Sequence, residues 1–147
     1  MPHFGFVDEN TLGREEALHL RALYHLRSAK RRLGQGKTAS GILTLYDALD
    51  SAVGWYILKT NAEGLTVPEG EYLGDEVTAF RALKRSGVIC SGLDFDGLCG
   101  LVERALAKEI VELEYAPIVA GVEAVMAELG VLPFDFDTLV PEKPDAP

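Results

Sequence analysis

Glu16 and His19 stand three apart, the spacing at which a helix presents two metal ligands on one face, as in carboxylate-bridged metal bundles. Such a centre needs a second Glu-x-x-His pair and further glutamates on facing helices. The chain has no second pair, so these two residues read as a solvated helix start, and neither a metal nor a cofactor is predicted. Asp47 and Asp50 are also three apart, on the flank of a long apolar helix. Paired carboxylates there face solvent, meet Arg27 or Lys30 across a hairpin, or supply the polar group of a small-molecule pocket between helices. Gly36-Lys37-Thr38 ends like a phosphate-binding loop, but that pattern requires a glycine where Arg31 stands and a preceding strand where this chain has a helix. It reads as a hairpin turn. The run Arg27, Lys30, Arg31, Arg32 and Lys37 has the charge to hold a phosphate or an acidic partner, or to be a solvated helix face. No serine or cysteine has a base at an interpretable spacing, and all three histidines, His3, His19 and His25, fall early in the chain.

The elements that carry these residues follow from hydrophobic periodicity. Residues 38–60 place Ile42, Leu45, Tyr46, Leu49, Ala52, Val53, Tyr56 and Ile57 at helical spacing, one broad apolar face. On the opposite side stand Leu43, Trp55 and Leu58, so this central helix is expected to be covered on both sides, by its own bundle or by a second subunit. Before it, Leu18, Ala22, Leu26, Ala29 and Leu33 form a narrower stripe, with residues 1–10 an irregular lead-in and Asn10 or Thr11 as the cap. Gly34 and Gly36 then turn the chain into an antiparallel helical hairpin. A glycine- and proline-containing loop over 61–74 leads to a short helix at about 75–86. Residues 88–93 read as a connection, because nothing else in the chain would pair with them as a sheet. Asp94 or Asp96 caps the next helix, and Pro117 and Gly130 bracket a last one. The expected fold is an all-α up-and-down bundle of four or five helices in one domain, 1–130. The tail 131–147, rich in proline and acids, is expected to dock in part through Phe134, Phe136 and Leu139 and to end in disorder.

At 147 residues with 48% hydrophobic content, the chain buries a core without metals or disulfides. Cys90 and Cys99 read as reduced thiols of a cytoplasmic protein, since the first residues have neither a basic nor an apolar signal region. The most apolar window, 116–134, is broken by Glu123, Glu128 and Pro133, so no membrane span is expected. A net charge of −9 disfavours a general nucleic-acid binder. The charge is uneven, however: between Ala17 and Tyr46 there is no acid, while Arg21 and the basic run contribute six positive charges.

The hairpin Leu26–Leu58, LRSAKRRLGQGKTASGILTLYDALDSAVGWYIL, resembles the first two helices of HEPN-type domains, with Ala and Leu before a short Gly turn, a small-residue start and a Tyr-Asp-Ala centre. The resemblance covers about a quarter of the chain. It implies a small helical bundle of a bacterial cytosolic system, commonly a homodimer, acting as an RNA-cleaving toxin, a partner of a nucleotidyltransferase-like chain, or an inactive binding module. Catalytic members carry an arginine and, after four to six intervening residues, a histidine in a late helix. Residues 87–147 contain no histidine. Arg14 and His19 have the spacing but open the first long helix, so the leading expectation is a non-catalytic binding or assembly module with a protein partner or nucleotide-type ligand. A homodimer would use the Leu43, Trp55 and Leu58 side. The alternatives are a metal-independent ribonuclease, with Arg14 stabilising the phosphate transition state and His19 as general acid or base, and a small-molecule-binding bundle using Asp47 or Asp50.

Overall fold

A computed structural model describes residues 9–110, 112–144 and 146–147; of Glu9 and Thr11 it describes the backbone only. Helices account for nearly all its regular structure, and among the described residues there is no strand. A single turn, α1 (Glu9–Leu12), precedes five longer helices: α2 (Arg14–Gly34), α3 (Thr38–Thr60), α4 (Glu76–Arg85), α5 (Phe95–Leu106) and α6 (Ala116–Leu129). A short 3-10 turn follows at Phe136–Thr138. The all-α bundle expected from periodicity is therefore what the chain forms.

The central position belongs to α3, which packs against α2, α4, α5 and α6. Its apolar content explains this: Ile42, Leu45, Ala48, Leu49 and Ala52 are all but fully buried. Across the hairpin, Ala22, Leu26, Ala29 and Leu33 of α2 are buried as their spacing predicts, and Leu23, Tyr24, His25 and Ser28 are buried beside them. The middle of α2 is thus covered on more of its circumference than a narrow stripe requires. The two helices come into close contact at Gly41, where an added Cβ would lie 2.6 Å from Leu33 Cγ and 3.1 Å from the Leu33 amide nitrogen. Only a glycine permits that approach.

The beginning of the hairpin differs from expectation. Asn10 and Thr11 fall inside α1, and the chain breaks at Gly13, whose φ of 84° lies in the left-handed region. The first long helix consequently starts at Arg14 with no side-chain cap. The lead-in expected over 1–10 falls mainly outside the described residues.

Downstream, side chains fix the helix starts. Asp75 accepts from the Thr78 amide at α4, and Asp94 from the Gly97 amide at α5. Phe80 and Phe95 then stack at 4.0 Å, joining α4 to α5. Residues 88–93 are a connection, as expected, and are clamped onto α6. The Glu128 carboxylate accepts from the amides of Cys90 (2.8 Å) and Ser91 (3.1 Å) and from the Ser91 hydroxyl (2.6 Å). Among the described residues no helix is long and apolar enough to cross a membrane.

Beyond α6 the chain folds back along α2. Leu139 is buried, and the Val140 amide donates to the Tyr24 hydroxyl at 3.1 Å. Glu142 then ion-pairs with Arg31 at 2.6 Å. The end of the chain, read from composition as disordered, is thus laid on a basic helix by complementary charge, a signal that composition does not carry. Asp145 lies outside the described residues.

Candidate functional site

The start of α2, the second half of α3 and the entry to α4 enclose a cleft of about 370 Å³. Leu18, Val53, Gly54, Ile57 and Ala79 give it apolar lining, and Arg14, Asp50 and Glu76 bring charge to the same lining. Helical geometry places Asp50 there: Val53, Gly54 and Ile57 follow it by three, four and seven residues on the same face of α3. Asp75 positions Glu76 by capping α4. Glycine at position 54 leaves that part of the lining open, its nearest neighbour being Leu18 Cδ1 at 3.7 Å from an added Cβ.

Electrostatics in this region favour protonation. Although Asp50 opens to solvent on its outer side, burial of the carboxyl, reinforced by the negative charges of Glu76 and Asp47, pushes its pKa up to about 6. Burial also raises Asp47, with Glu76 adding to the effect. Tyr46, one turn earlier, is raised by burial and by the Glu76 charge, and its hydroxyl is within hydrogen-bonding reach of that carboxylate. The sequence-derived partners for the two aspartates do not apply. Arg27 is engaged by the Val140 carbonyl at 2.6 Å and by Glu142, and Lys30 by Glu123 at 3.2 Å. Asp50 lines the cleft, whereas Asp47 contributes only charge from one turn away.

Arg14 also borders a second, shallower depression of about 490 Å³, formed with Gly13, Glu15, Glu16, His19 and Trp55. Arg14 and His19 are therefore brought to one surface. The His19 ring lies 5.0 Å from Trp55 and 5.8 Å from Phe134, and burial followed by the Lys59 charge lowers its pKa below the usual 6.5, so it is neutral at pH 7. Glu16 lines the same depression, but among the described residues no group of three His, Cys, Asp or Glu side chains is assembled that could hold a metal.

The remaining candidates are dispersed. Trp55 is only 7% exposed, because His19, the Lys59 ammonium at 4.6 Å and the turn at Gly130 cover its ring within the same chain. Leu43 is half-buried against the core, which leaves Leu58, 41% exposed at the cleft, as the outward member of that set. Of the basic run, Arg27, Arg31 and Arg32 lie under the C-terminal segment, and Arg32 also donates to the Thr44 hydroxyl at 2.6 Å. Lys37 stands exposed at the N-cap of α3 in a turn that forms no phosphate-binding loop. Glu76 and Glu142 were not legible as functional residues: each gains its significance from a neighbour far away in sequence. Compared with known proteins, the chain matches no family model, no curated protein and no solved structure.

Proposed function

We propose that this chain is a non-catalytic HEPN-like binding module whose ligand is a small amine with an apolar body, held in the cleft between α2, α3 and α4. The observation that carries the reading is that Asp50 and Glu76, close enough to raise the Asp50 pKa, line one cleft of about 370 Å³ together with Leu18, Val53 and Ile57. That volume lies within the range of roughly 300–1,000 Å³ common to small-molecule sites. Neighbouring carboxylates disfavour each other's ionisation, and a protonated amine between them removes that repulsion. The methylenes of the ligand would gain burial against Leu18, Val53 and Ile57.

The test compares hexylamine with hexan-1-ol and hexanoate by chemical-shift titration. Hexylamine is expected to shift residues of the cleft, to bind more weakly below pH 6, and to lose its effect in Asp50→Asn. Equal responses to the amine and the alcohol, or an unchanged response in Asp50→Asn, would exclude this site.

A second reading rests on the shared depression of Arg14 and His19. There a neutral imidazole is the form that accepts a proton, and the guanidinium suits a phosphate. In that metal-independent ribonuclease, His19→Ala abolishes RNA cleavage; wild-type protein that leaves RNA intact at high concentration removes the reading.

A further inference from the structure

Along α2, the arginines at 27, 31 and 32 fall on one stripe, and Val140, Glu142 and Pro147 of the chain's own C-terminal segment lie on it. The contacts are to main-chain oxygens and to a side-chain carboxylate. Arg27 Nη2 donates to the Val140 carbonyl at 2.6 Å, Arg31 Nη1 to Glu142 at 2.6 Å, and Arg31 Nη2 and Arg32 Nε to the Pro147 main-chain oxygen at 2.5 and 3.2 Å. Arg27 Nε lies 3.7 Å from the other Glu142 oxygen. These side chains are largely covered: Arg27 retains 20% exposure, Arg31 19% and Glu142 24%.

The occupant does not satisfy the surface beneath it. Among the described residues, the buried Nε atoms of Arg27 and Arg31 have no hydrogen-bond acceptor. A guanidinium offers five N–H donors, and a single glutamate with three contacts to main-chain oxygens leaves some of them idle. The segment carries prolines at Pro141 and Pro144 and, among its described residues, has no helix or strand after Leu139, only a turn in which the Ala146 amide donates to the Lys143 carbonyl at 3.0 Å.

We propose that the α2 arginine stripe is a docking surface for an acidic peptide segment of a partner protein, and that the chain's own segment carrying Val140, Glu142 and Pro147 is a built-in occupant holding it closed. The two parts follow from the same contacts. Main-chain oxygens at Val140 and Pro147, with the Glu142 carboxylate between them, describe the peptide that fits. A tethered copy at an effective concentration on the order of millimolar describes why weak competitors are kept out. A partner segment with more than one carboxylate would use the idle Nε donors and displace the occupant. This surface is distinct from the amine cleft and does not depend on it.

The probe is a labelled peptide of sequence LVPEKPDAP, residues 139–147, followed by fluorescence anisotropy. The proteins are the wild type, Glu142→Ala, a full-length variant with 140–147 replaced by Gly/Ser residues, and that variant carrying Arg31→Glu. The Gly/Ser variant is expected to bind the peptide roughly tenfold or more tightly than the wild type, with Glu142→Ala in between and Arg31→Glu abolishing the gain. Equal binding by wild-type and Gly/Ser proteins, no binding by the latter at millimolar peptide, or binding that survives Arg31→Glu would overturn the proposal. If circular dichroism shows the Gly/Ser protein unfolded, Glu142→Ala decides by the same criterion: tighter binding than wild type supports the docking surface, and no change refutes it. A single-stranded RNA oligonucleotide bound more tightly than the peptide by the opened protein would overturn the choice of a peptide partner.

Discussion

Replacing Asp50 by asparagine is expected to stabilise the protein at neutral pH and to leave its stability unchanged in mild acid. In the folded chain the Asp50 carboxyl titrates at about 6, against 3.8 when it is unburied. Because its folded value is raised, the native state holds a proton that the unfolded chain releases, and stability is lost as pH rises from about 4 through 6. Were the carboxyl wholly shielded, 1.36 kcal/mol per pH unit would make that loss about 3 kcal/mol. Its outer side meets solvent, which screens the charge and reduces the expected effect to about 1 kcal/mol. Asparagine keeps the shape and never ionises. Urea unfolding of both proteins between pH 4 and 8 isolates the effect, since groups remote from the cleft titrate in both and cancel in the difference, leaving Asp50 with its coupling to Glu76 and Asp47. The difference curve is expected to sit near zero at pH 4 and to rise through pH 6 to a plateau of about 1 kcal/mol, or roughly 2–4 °C in Tm for a domain of this size. A flat difference curve, or an Asp50→Asn protein less stable than wild type at pH 8, would refute the account of the cleft as a place where carboxylates are crowded.

Two further expectations concern the scaffold. Gly41→Ala places a methyl 2.6 Å from Leu33 Cγ and should force α2 and α3 apart at a cost of about 1–3 kcal/mol, whereas Gly54→Ala, with nothing nearer than 3.7 Å, should be neutral or stabilising by up to about 1 kcal/mol; thermal unfolding of the pair checks both. Glu128→Ala frees three donors of the 88–93 connection and should cost about 1–2 kcal/mol, with amide exchange at Cys90 and Ser91 accelerated. Hydrogen bonds from the Ser91 hydroxyl and from the two amides hold the Glu128 carboxyl below its usual 4.5, so in the wild type this contribution is complete above 4.5 and disappears as pH falls through the lowered value.

Periodicity made the scaffold legible because burial and spacing are the same information in a helix. The stripes on α2 and α3 and the stops at Gly36 and Gly130 could be read directly, since both glycines adopt positive φ and end or join helices there. Gly13 was not legible, because the residues on both sides of it continue a helix-compatible pattern and only the backbone angle reveals the break. Trp55 was legible in part. Its position opposite the main apolar face left its own bundle or a second subunit as the cover, and within the chain that cover is His19, Lys59 and the turn at Gly130, which reach it from other elements or the next turn of α3. The sites were the least readable part. Asp50 could be named, but its raised pKa depends on Glu76, from another helix, and the contacts of Arg27 and Arg31 lie more than a hundred residues away with no periodic signal.

The separation between Arg27 and Val140 is 113 residues, and it gives the α2 surface a history as well as a geometry. A ribosome adding roughly 5–20 residues per second needs about 6–23 s to make the intervening chain. Throughout that interval the hairpin of α2 and α3, built from local contacts, has every means to form, while the segment that covers its arginines has not yet been synthesised. Any anion that meets the growing chain meets those side chains bare. Order of manufacture thus sets a window in which binding at this face is a matter of encounter alone, and the window closes when residue 140 and its neighbours reach α2.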